Sequence, residues 1–533
     1  MQLIDYIVFG IYFLVVAGYG WSIYQRKKQK TASSNDYFLA EGSLTWWAIG
    51  ASLIASNISA EQFIGMSGNG FNMGLGISTY EWMAAATLLT VGIFFMPTYL
   101  RNKIFTMPQF LNMRYNSTVS TIMAIFWLFL YIFVNLTAIL YLGALAVSTI
   151  SGLDFTMCML FLAVFAIIIT LGGMEVIGYT DVIQVFFLII GGLATTYMAV
   201  SLVSKNFGTE GIMTGLNIMQ EKAGDHFHMI FKAGGSEKNH ANYMALPGLG
   251  VLIGGMWIVN LNYWGCNQYI TQRALGADLK TAREGILFAA FLKILMPIIV
   301  VIPGIAAYVL HQKGMFQTEM LKDGVLNQDN AYPVLLNLLP AGLKGLSFAA
   351  LTAAIVASLA GKANSISTIF TLDIYKKFFG KDTSEAQLVY IGRGTVVAAM
   401  LIAIVASPFM GIDKKGGFQF IQEMTGLVSP GLFAAFFMGF FWKKTNSEGA
   451  LFAIVGGFIM SLWMYKYMTE VPFIDKMGYV FLICVSVMVA LGLWKPSDKG
   501  LEVNSDDFKI SGNFAIGTGV ILTTLAILYY TFW

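Results

Sequence analysis

Residues 50–70, GASLIASNISAEQFIGMSGNG, lie where a membrane-crossing helix is expected, yet the middle of this stretch is polar. The run 56–62, SNISAEQ, is rich in side chains that compete with a helix for backbone hydrogen bonds. In lipid every backbone group needs a partner, so an interrupted helix persists only where it faces protein or a watery cavity. Because transporters often bind ions and substrates at such interruptions, we expect a functional site here. The alternative is a plain helix whose polar side chains bond to a neighbouring helix.

The composition is that of a membrane protein. The chain has 533 residues, 57% of them hydrophobic and 11% charged, with a mean hydropathy of +0.69, whereas soluble domains carry about 25% charged residues. The net charge of +3 is too small to indicate a nucleic-acid partner. Cys158, Cys266 and Cys484 lack metal-type spacing and are expected to be apolar packing residues.

Fourteen segments are apolar and long enough to be candidates for crossing a bilayer. We therefore predict an all-α polytopic membrane protein with about fourteen transmembrane helices. The segments lie near residues 4–24, 44–70, 75–98, 119–149, 156–172, 177–203, 245–268, 285–310, 345–371, 387–407, 418–441, 448–467, 476–494 and 513–532.

Lysine and arginine residues concentrate in alternate loops, a bias that marks the cytoplasmic side of a membrane. Such loops hold, for example, Arg26, Lys30 and Lys381. Both termini, and the long loops 204–244 and 311–344, then lie on the extracellular or periplasmic side of the inner (plasma) membrane. All four histidines fall in or beside these two long loops, so none is placed in the membrane for a metal site or a proton relay.

A second interrupted segment covers residues 247–269, PGLGVLIGGMWIVNLNYWGCNQY. It is rich in glycine, and its inner half carries Asn260, Asn262, Asn267 and Gln268. If the first helix is accessory, the two interrupted segments open successive blocks of five helices that cross the membrane in opposite directions. That pattern is typical of transporters built from inverted repeats, with the binding site between the repeats.

This pattern divides the chain into five parts. Residues 1–42 form an accessory first helix with a basic loop, 43–204 the first repeat of five helices, and 205–244 an extracellular loop. Residues 245–441 form the second repeat, and 442–533 form three accessory helices. We therefore predict a core of two inverted five-helix repeats.

Charged side chains inside predicted membrane segments are costly and usually mark a functional pathway. Glu81, Asp181, Lys293 and Lys362 lie in such segments, whereas no arginine is expected at membrane depth. A structural ion pair is the alternative for Asp181 and Lys362, and a solvated helix end is the alternative for Gln422.

The polar side chains suit a neutral polyol such as a sugar. A sugar needs several hydrogen-bond donors and acceptors, together with aromatic faces that cover its apolar patches. A carboxylate substrate would instead favour arginine. Carbonyl groups freed by the first break offer the oxygen ligands that Na⁺ needs, and no nucleophile–histidine pair or metal cluster indicates an enzyme. Donors and acceptors are supplied by Gln62, Glu81, Asn260, Lys293 and Gln422.

Several motifs of the chain resemble the sodium:solute symporter family, above all its bacterial sodium/galactose (sodium/glucose) cotransporters. They include ASNISAEQFIGMSG at 55–68, STYEWM at 78–83, TDVIQVFF at 180–187, STIFTLDIYKK at 367–377 and FIQEMTGLVSPG at 420–431. The likeness covers nearly the whole chain. It implies a LeuT-like fold of fourteen helices around a five-plus-five inverted repeat, both termini outside, no cofactor, and sodium as the coupling ion.

The resemblance assigns the sugar contacts to Gln62, Glu81, Asn260, Lys293 and Gln422. The family's serine three residues after the glutamate is Ala84 here, so one hydroxyl contact is missing. The resemblance assigns the outer hydrophobic gate to Met66, Tyr80 and Phe418, and the inner gate to Tyr263, held near Asn57.

The sodium site implied by the resemblance combines backbone oxygens of Ala55, Ile58 and Ala354 with the hydroxyl of Ser358. The family often has a second serine where Ala357 stands, so this site is expected to have one ligand fewer and to bind sodium more weakly.

Members of the family that use a second sodium ion carry serines where this chain has Ala360 and Gly361, so we expect one sodium per sugar. Asp181 is kept. We expect Lys362 either to lie near Asp181, where its ammonium substitutes for a second ion, or to extend to the cytoplasmic surface.

Together these inferences predict a symporter that imports a neutral sugar by alternating access with one sodium ion. The alternatives are a symporter for another polyol such as inositol, and a membrane sensor that binds sugar without moving it. The expected partners are a small-molecule sugar, sodium and the lipid bilayer, with no nucleic acid. The oligomeric state stays open.

Overall fold

The computed structural model of the protein describes residues 1–28, 44–171, 174–322, 324–380, 382–409 and 417–533. Two basic residues of the predicted cytoplasmic loops, Lys30 and Lys381, lie outside the described residues, and of Arg26 only the backbone is described.

The described part of the chain is a bundle of apolar helices. Within it, nine helices are long and apolar enough to cross a bilayer, and the number is eleven if two bent helix pairs each count as one span. The protein is therefore a multi-pass membrane protein, while the total of fourteen crossings stays a prediction. The nine are Glu61–Arg101, Ser117–Ser151, Tyr179–Asn206, Leu279–Gln312, Leu343–Phe378, Glu385–Phe409, Ser447–Tyr467, Phe473–Trp494 and Gly512–Thr531.

The first half of the chain forms the α-helices Leu3–Lys28, Trp46–Asn57, Ser67–Met73, Thr79–Thr90, Met96–Arg101, Met107–Arg114, Ser117–Phe129, Thr137–Ser151, Phe155–Thr170, Met174–Asn206, Ile212–Lys222 and Glu237–Ala245. Wider π-helical turns at Glu61–Met66, Val91–Phe95 and Leu130–Leu136 continue some of them, with 3₁₀ turns at Gly74–Ser78 and Gly224–Phe227.

The second half forms the α-helices Gly248–Ile253, Gly255–Gly265, Gln268–Leu275, Leu279–Val300, Ile302–Gln312, Ala331–Leu336, Leu343–Thr368, Lys376–Phe378, Glu385–Ala406, Gly417–Gly426, Ser429–Phe441, Ser447–Leu451, Gly457–Tyr467, Phe473–Trp494 and Gly512–Thr531. It also has π-helical turns at Ile369–Tyr375 and Phe452–Gly456, and 3₁₀ turns at Gln328–Asn330, Ser407–Phe409 and Ser505–Phe508. Strands Leu321–Lys322 and Val325–Leu326 form a small antiparallel hairpin in which Leu321 lies opposite Leu326.

The predicted break in the first polar stretch is confirmed. The helix Trp46–Asn57 ends at Ile58, which has extended backbone angles, and helical structure resumes as a π-helical turn at Glu61. Side chains take the donors that would have continued the helix: Ser59 N–H donates to Gln62 Oε1 (3.1 Å) and Glu61 N–H donates to Ser59 Oγ (3.2 Å). We call Trp46–Asn57 with its continuation from Glu61 the first broken helix.

The second polar stretch is also interrupted, at two places. Its helices bend by 78° at Gly254 and separate again between Gly265 and Gln268. A Cβ on Gly254 would lie 2.8 Å from the carbonyl oxygen of Gly250, so the close approach at this bend requires glycine. We call Gly248–Ile253, Gly255–Gly265 and Gln268–Leu275 the second broken helix.

A third bend lies inside segment 418–441, which the sequence analysis treats as one helix. Gly417–Gly426 and Ser429–Phe441 meet at 52°. Pro430 lies at the start of the second helix, where its missing N–H costs no hydrogen bond. A helix that reaches Pro430 from the preceding residues is broken or kinked there, because the proline ring clashes with the preceding turn.

The first broken helix packs closely on Leu279–Val300 through glycines. A Cβ on Gly50 would lie 2.7 Å from the carbonyl oxygen of Gly285, and one on Gly285 would lie 2.9 Å from that of Trp46. Membrane helices approach this closely where small residues face each other. The tight contact holds the start of the first broken helix against its neighbour.

The end of helix Ser429–Phe441 is held by a buried arginine. Arg114 Nε donates to the carbonyl of Gly439, and its Nη2 donates to those of Trp442 and Lys443, each at 2.9 Å. Terminal carbonyls of a helix need partners of this kind, since no further turn supplies donors.

Arg114→Met is expected to destabilise the protein by on the order of 3 kcal/mol, because it leaves buried carbonyls unpaired. The thermal unfolding midpoint of the purified protein in detergent checks this. Arg101→Met is the control, since Arg101 pairs with Asp507 in a partly exposed position, where ion pairs contribute little. Equal midpoints for the two variants would contradict the assignment.

A histidine in the segment between two apolar helices joins that segment to the helices Ser67–Met73 and Ile302–Gln312. His226 stacks on Tyr308 with ring centroids 4.0 Å apart, and its Nε2 lies 3.2 Å from the carbonyl oxygen of Phe71. Burial, with a smaller effect of nearby Lys238, lowers the pKa of His226 to about 4. The neutral ring is therefore the form that fits this contact.

Acid is expected to loosen this contact. Because the pKa of an unrestrained histidine is about 6.5, the contact is at full strength above that pH, and it weakens progressively as the pH falls toward 4. Hydrogen exchange of peptides spanning 224–231, corrected for intrinsic rates, should show lower protection at pH 5 than at pH 7.5. His226→Gln, which keeps a donor but does not titrate, should remove the difference. Equal protection of the wild-type protein at both pH values would contradict the prediction.

Candidate functional site

A polar cavity lies between the two broken helices. It contains all five positions predicted to contact a sugar, and its remaining wall combines aromatic and amide side chains with aliphatic ones. Its lining includes Asn57, Glu61, Gln62, Tyr80, Glu81, Ala84, Trp127, Tyr131, Asn135, Asn260, Asn262, Tyr263, Trp264, Asn267, Lys293, Phe418 and Gln422.

Two charged residues of the cavity, Glu81 and Lys293, neutralise each other. Lys293 Nζ lies 2.5 Å from Glu81 Oε2, and the side chains are 1% and 3% exposed. The same ammonium donates to Asn57 Oδ1 and lies 5.2 Å from the ring centre of Trp264. This buried ion pair therefore joins two of the predicted sugar contacts.

Two amide side chains of the cavity, those of Gln62 and Asn260, form hydrogen bonds with backbone groups. Gln62 Oε1 accepts from the N–H of Ser59, and Asn260 Nδ2 donates to the carbonyl of Met256 at 3.2 Å. Each bond uses one end of the amide group. Gln422, on helix Gly417–Gly426, is half-buried and faces the same cavity.

The aromatic residues predicted as gates lie on the cavity wall. The rings of Tyr80 and Phe418 meet edge to face with centroids 5.0 Å apart. Asn57 Nδ2 donates to Tyr263 Oη at 3.2 Å, so one amide joins Tyr263 to Lys293. Met66 is fully buried but is not among the described residues that line the cavity.

The residues predicted to bind sodium lie where the first broken helix meets helix Leu343–Thr368. Ser358 Oγ donates to the carbonyl of Ser56 at 3.1 Å, directly across this contact. Because Ser59 N–H is taken by Gln62, the carbonyl of Ala55 lacks its usual helical donor. The other predicted ligand positions are all buried: Ile58, Ala354 and Ala357.

The partner of Asp181 corrects the sequence analysis. Asp181 Oδ2 accepts from Ser52 Oγ at 2.6 Å and lies 3.4 Å from Arg273 Nη1, with both ionic side chains buried. Asp181 therefore belongs to a buried ion pair, which is the alternative given for it above, and its partner is an arginine that the sequence did not indicate. Arg273 lies in the last part of the second broken helix, Gln268–Leu275, which follows the predicted membrane segment 245–268 and is buried throughout.

For Lys362 the structure shows the alternative of a structural ion pair, and the other two expectations are wrong. Its ammonium donates to Asn135 Oδ1 at 2.8 Å and lies 3.6 Å from Glu61 Oε1, and the side chain is 2% exposed. It neither pairs with Asp181 nor reaches the surface. Lys362 instead contacts Glu61 and Asn135, two residues of the cavity wall.

Sequence reasoning missed Tyr269, which contacts both neighbouring sites. Its hydroxyl lies 3.2 Å from Ser358 Oγ, and its ring centre lies 4.9 Å from the ammonium of Lys362. Glu61 and Asn135 were also missed as partners, although Glu61 stands in the motif quoted at 55–68. The available signal was the rarity of polar side chains in apolar segments.

Comparison with known proteins identifies the family. A sequence model of the sodium:solute symporter family matches residues 37–457. A sodium/glucose cotransporter of Vibrio parahaemolyticus is 46% identical over 545 aligned positions, which cover 100% of this chain and 99% of that protein. A human sodium/myo-inositol cotransporter 2 is 33% identical, with 86% of this chain and 69% of that protein covered.

The fold is shared with a solved transporter. The outward-open, substrate-bound structure of a Na⁺-coupled sialic acid symporter superposes with a TM-score of 0.80 at 22% identity, covering 93% of this chain and 99% of that one. At this identity the likeness concerns the fold alone. The family match and the full-length relative have a more direct meaning: the chain belongs to the sodium:solute symporter family.

Proposed function

We propose that this protein imports a neutral sugar of the glucose or galactose type, together with one sodium ion for each sugar. The observation that carries the proposal is the buried Glu81–Lys293 pair in a cavity whose other walls are amide, aromatic and aliphatic side chains. The remaining carboxylate of the wall, Glu61, is itself paired with Lys362. Because these pairs leave little net charge, the cavity favours a neutral solute with many hydroxyl groups over an ion.

In this proposal the five polar residues share the sugar's hydroxyls. Glu81 accepts hydrogen bonds and Lys293 donates them, so the ion pair offers both kinds of contact when sugar separates or bridges it. The amides of Gln62, Asn260 and Gln422 each both donate and accept. A polyol forms the hydrogen bonds that water would otherwise form with these side chains. An analogue that leaves one of these side chains without a hydrogen bond binds less tightly.

Aromatic rings close the cavity at two ends. Tyr80 and Phe418 form the outer gate with Met66 behind them, and Tyr263 forms the inner gate. Since Asn57 bonds to both Tyr263 and Lys293, a sugar that draws Lys293 away also changes the bond that holds Tyr263. Occupation of the sugar site is thereby coupled to the inner gate.

Sodium is the second substrate in this proposal. Carbonyl oxygens of Ala55, Ile58 and Ala354 with the hydroxyl of Ser358 are the hard oxygen ligands that such an ion prefers. They belong to the same two helices that the Ser358–Ser56 bond joins. A bound ion would hold the break of the first broken helix in the form that presents Gln62 to the sugar.

The coupling would then work by alternating access of two inverted five-helix repeats, with both termini outside. Sodium enters first and favours the outward-open state, sugar follows, and both leave inward when Tyr263 moves. One charge crossing 100 mV is worth about 2.3 kcal/mol. This corresponds to roughly fifty-fold accumulation of sugar from the membrane potential alone.

Two observations favour a second candidate substrate, a polyol such as myo-inositol. The human relative is named for sodium and myo-inositol, and Ala84 lines the cavity without a hydroxyl of its own. Inositol has no ring oxygen and therefore needs a different set of donors from a hexose.

Uptake into proteoliposomes tests the proposal. Labelled glucose, galactose and myo-inositol are compared under an inward sodium gradient and with potassium in place of sodium. Sodium-dependent accumulation of a hexose supports the proposal, and preference for inositol supports the second candidate. Sugar binding without uptake would indicate a sensor, and uptake that ignores sodium would contradict the coupling.

A further inference from the structure

A buried ammonium group lies one helical turn beyond the proposed sodium ligand. Lys362 follows Ser358 by four residues, so the two side chains lie on the same face of helix Leu343–Thr368. The ammonium bonds to Asn135 Oδ1 and lies beside Glu61 Oε1 and the ring of Tyr269. The proposed transport cycle makes no use of it.

The surroundings of this ammonium are those of a cation site. A carboxylate oxygen, an amide oxygen and an aromatic face surround it, and each of these attracts cations. Glu61 Oε1 is buried and accepts no hydrogen bond from the described residues, so the charge of Lys362 at 3.6 Å is what neutralises it. A buried carboxylate left without a partner is strongly destabilising.

This cluster and the sodium site share their supports. Glu61 lies three residues after Ile58 on the first broken helix, and Tyr269 contacts both Ser358 and Lys362. The same helices therefore meet twice, once at each site. A cation in either place draws the first broken helix toward helix Leu343–Thr368.

We propose that Lys362 is a tethered cation that fills a second cation site formed by Glu61 and Asn135, and that it thereby limits transport to one free sodium ion. The inference rests on the proposed function, because it concerns the ions that drive sugar uptake. When the ammonium is removed, Glu61 takes a sodium ion or a proton from solution.

Three variants test the inference in proteoliposomes. Lys362→Met removes the charge at similar length, Glu61→Gln with Lys362→Met removes both charges, and Lys362→Arg keeps the positive charge. The sodium dependence of sugar uptake should be hyperbolic in the wild-type protein and in the double variant. In Lys362→Met it should become sigmoidal, with a Hill coefficient approaching two, if sodium fills the site.

If a proton fills the site instead, Lys362→Met should keep a hyperbolic sodium curve but gain uptake driven by an inward proton gradient. The double variant should lose that response, because its neutral amide at position 61 does not need a cation. Lys362→Arg should behave as the wild-type protein.

Thermal unfolding in detergent keeps the test valid for a variant that folds poorly or does not transport. Lys362→Met should unfold at a lower temperature in choline than the double variant does, and sodium or acid should restore it. Hyperbolic sodium dependence in Lys362→Met with no proton-driven uptake, or a midpoint insensitive to sodium and pH, would overturn the inference. Absence of sodium-driven uptake in the wild-type protein would instead refute the proposed function.

Discussion

Replacement of Glu81 by glutamine is expected to lower sodium-driven sugar uptake by at least about a hundredfold. The change leaves the Lys293 ammonium buried without its carboxylate, and breaking one side of a buried pair costs about 3–5 kcal/mol. It also removes a charged hydrogen-bond acceptor of the cavity. Initial rates of labelled glucose uptake into proteoliposomes, corrected for the amount of folded protein, measure the effect.

Two further variants separate recognition from stability. Glu81→Gln with Lys293→Met removes both charges, so it should recover thermal stability yet fail to transport sugar. Glu448→Gln breaks an exposed pair with Lys495 and should change neither property, because such pairs contribute little. Normal uptake by the first double variant would show that the pair supports the fold and does not bind the sugar.

Ser358→Ala is expected to raise the sodium concentration for half-maximal uptake about tenfold or more. The substitution removes a proposed sodium ligand from a site that already has Ala357 where a second hydroxyl would stand, and it removes the bond to Ser56. Loss of one good polar contact of this kind corresponds to about 1.5 kcal/mol or more.

Ser367→Ala is the matched control for that experiment. Ser367 lies on the same helix and is buried, and its hydroxyl has no hydrogen-bond partner among the described residues. Its removal should leave the sodium dependence unchanged. An unaltered sodium dependence in Ser358→Ala would place the sodium site elsewhere, whereas an equal shift in both variants would indicate a general effect of the helix.

The breaks in the helices could be predicted because their cause is local. The polar run 56–62 contains the side chains that take the backbone donors of Ser59 and Glu61, and glycine at position 254 leaves room for the carbonyl of Gly250 at the bend. The bend before Pro430 has an equally local signal in the sequence SPG. This bend was not predicted, because the apolar segment 418–441 that contains it is long enough for a single helix.

The partners of Asp181 and Lys362 could not be predicted, because they depend on how helices rotate and meet. Hydropathy places Asp181 and Lys362 in the membrane but does not give the direction of either side chain. The nearest opposite charges come from distant parts of the chain, Arg273 for Asp181 and Glu61 for Lys362. Only the fold brings these pairs together.

Buried ion pairs surround the broken helices in the described core. Glu81–Lys293 lies in the sugar cavity, Glu61–Lys362 beside the sodium site, and Asp181–Arg273 on the side of Ser52. Each pair joins a broken helix, or the segment after it, to another helix. Movements that open the cavity therefore have to keep or exchange these partners, since an unpaired charge in the core is costly.

The most direct test of the account is the affinity of the purified protein for glucose, measured by titration in sodium and again in choline at the same ionic strength. Both proposed sites use the first broken helix, the sugar site through Gln62 and the sodium site through Ala55 and Ile58. Each ligand should therefore strengthen binding of the other by the same factor. We predict glucose binding at least about tenfold tighter in sodium, and sodium binding tighter in glucose by an equal factor. Equal glucose affinity in sodium and choline would contradict the account.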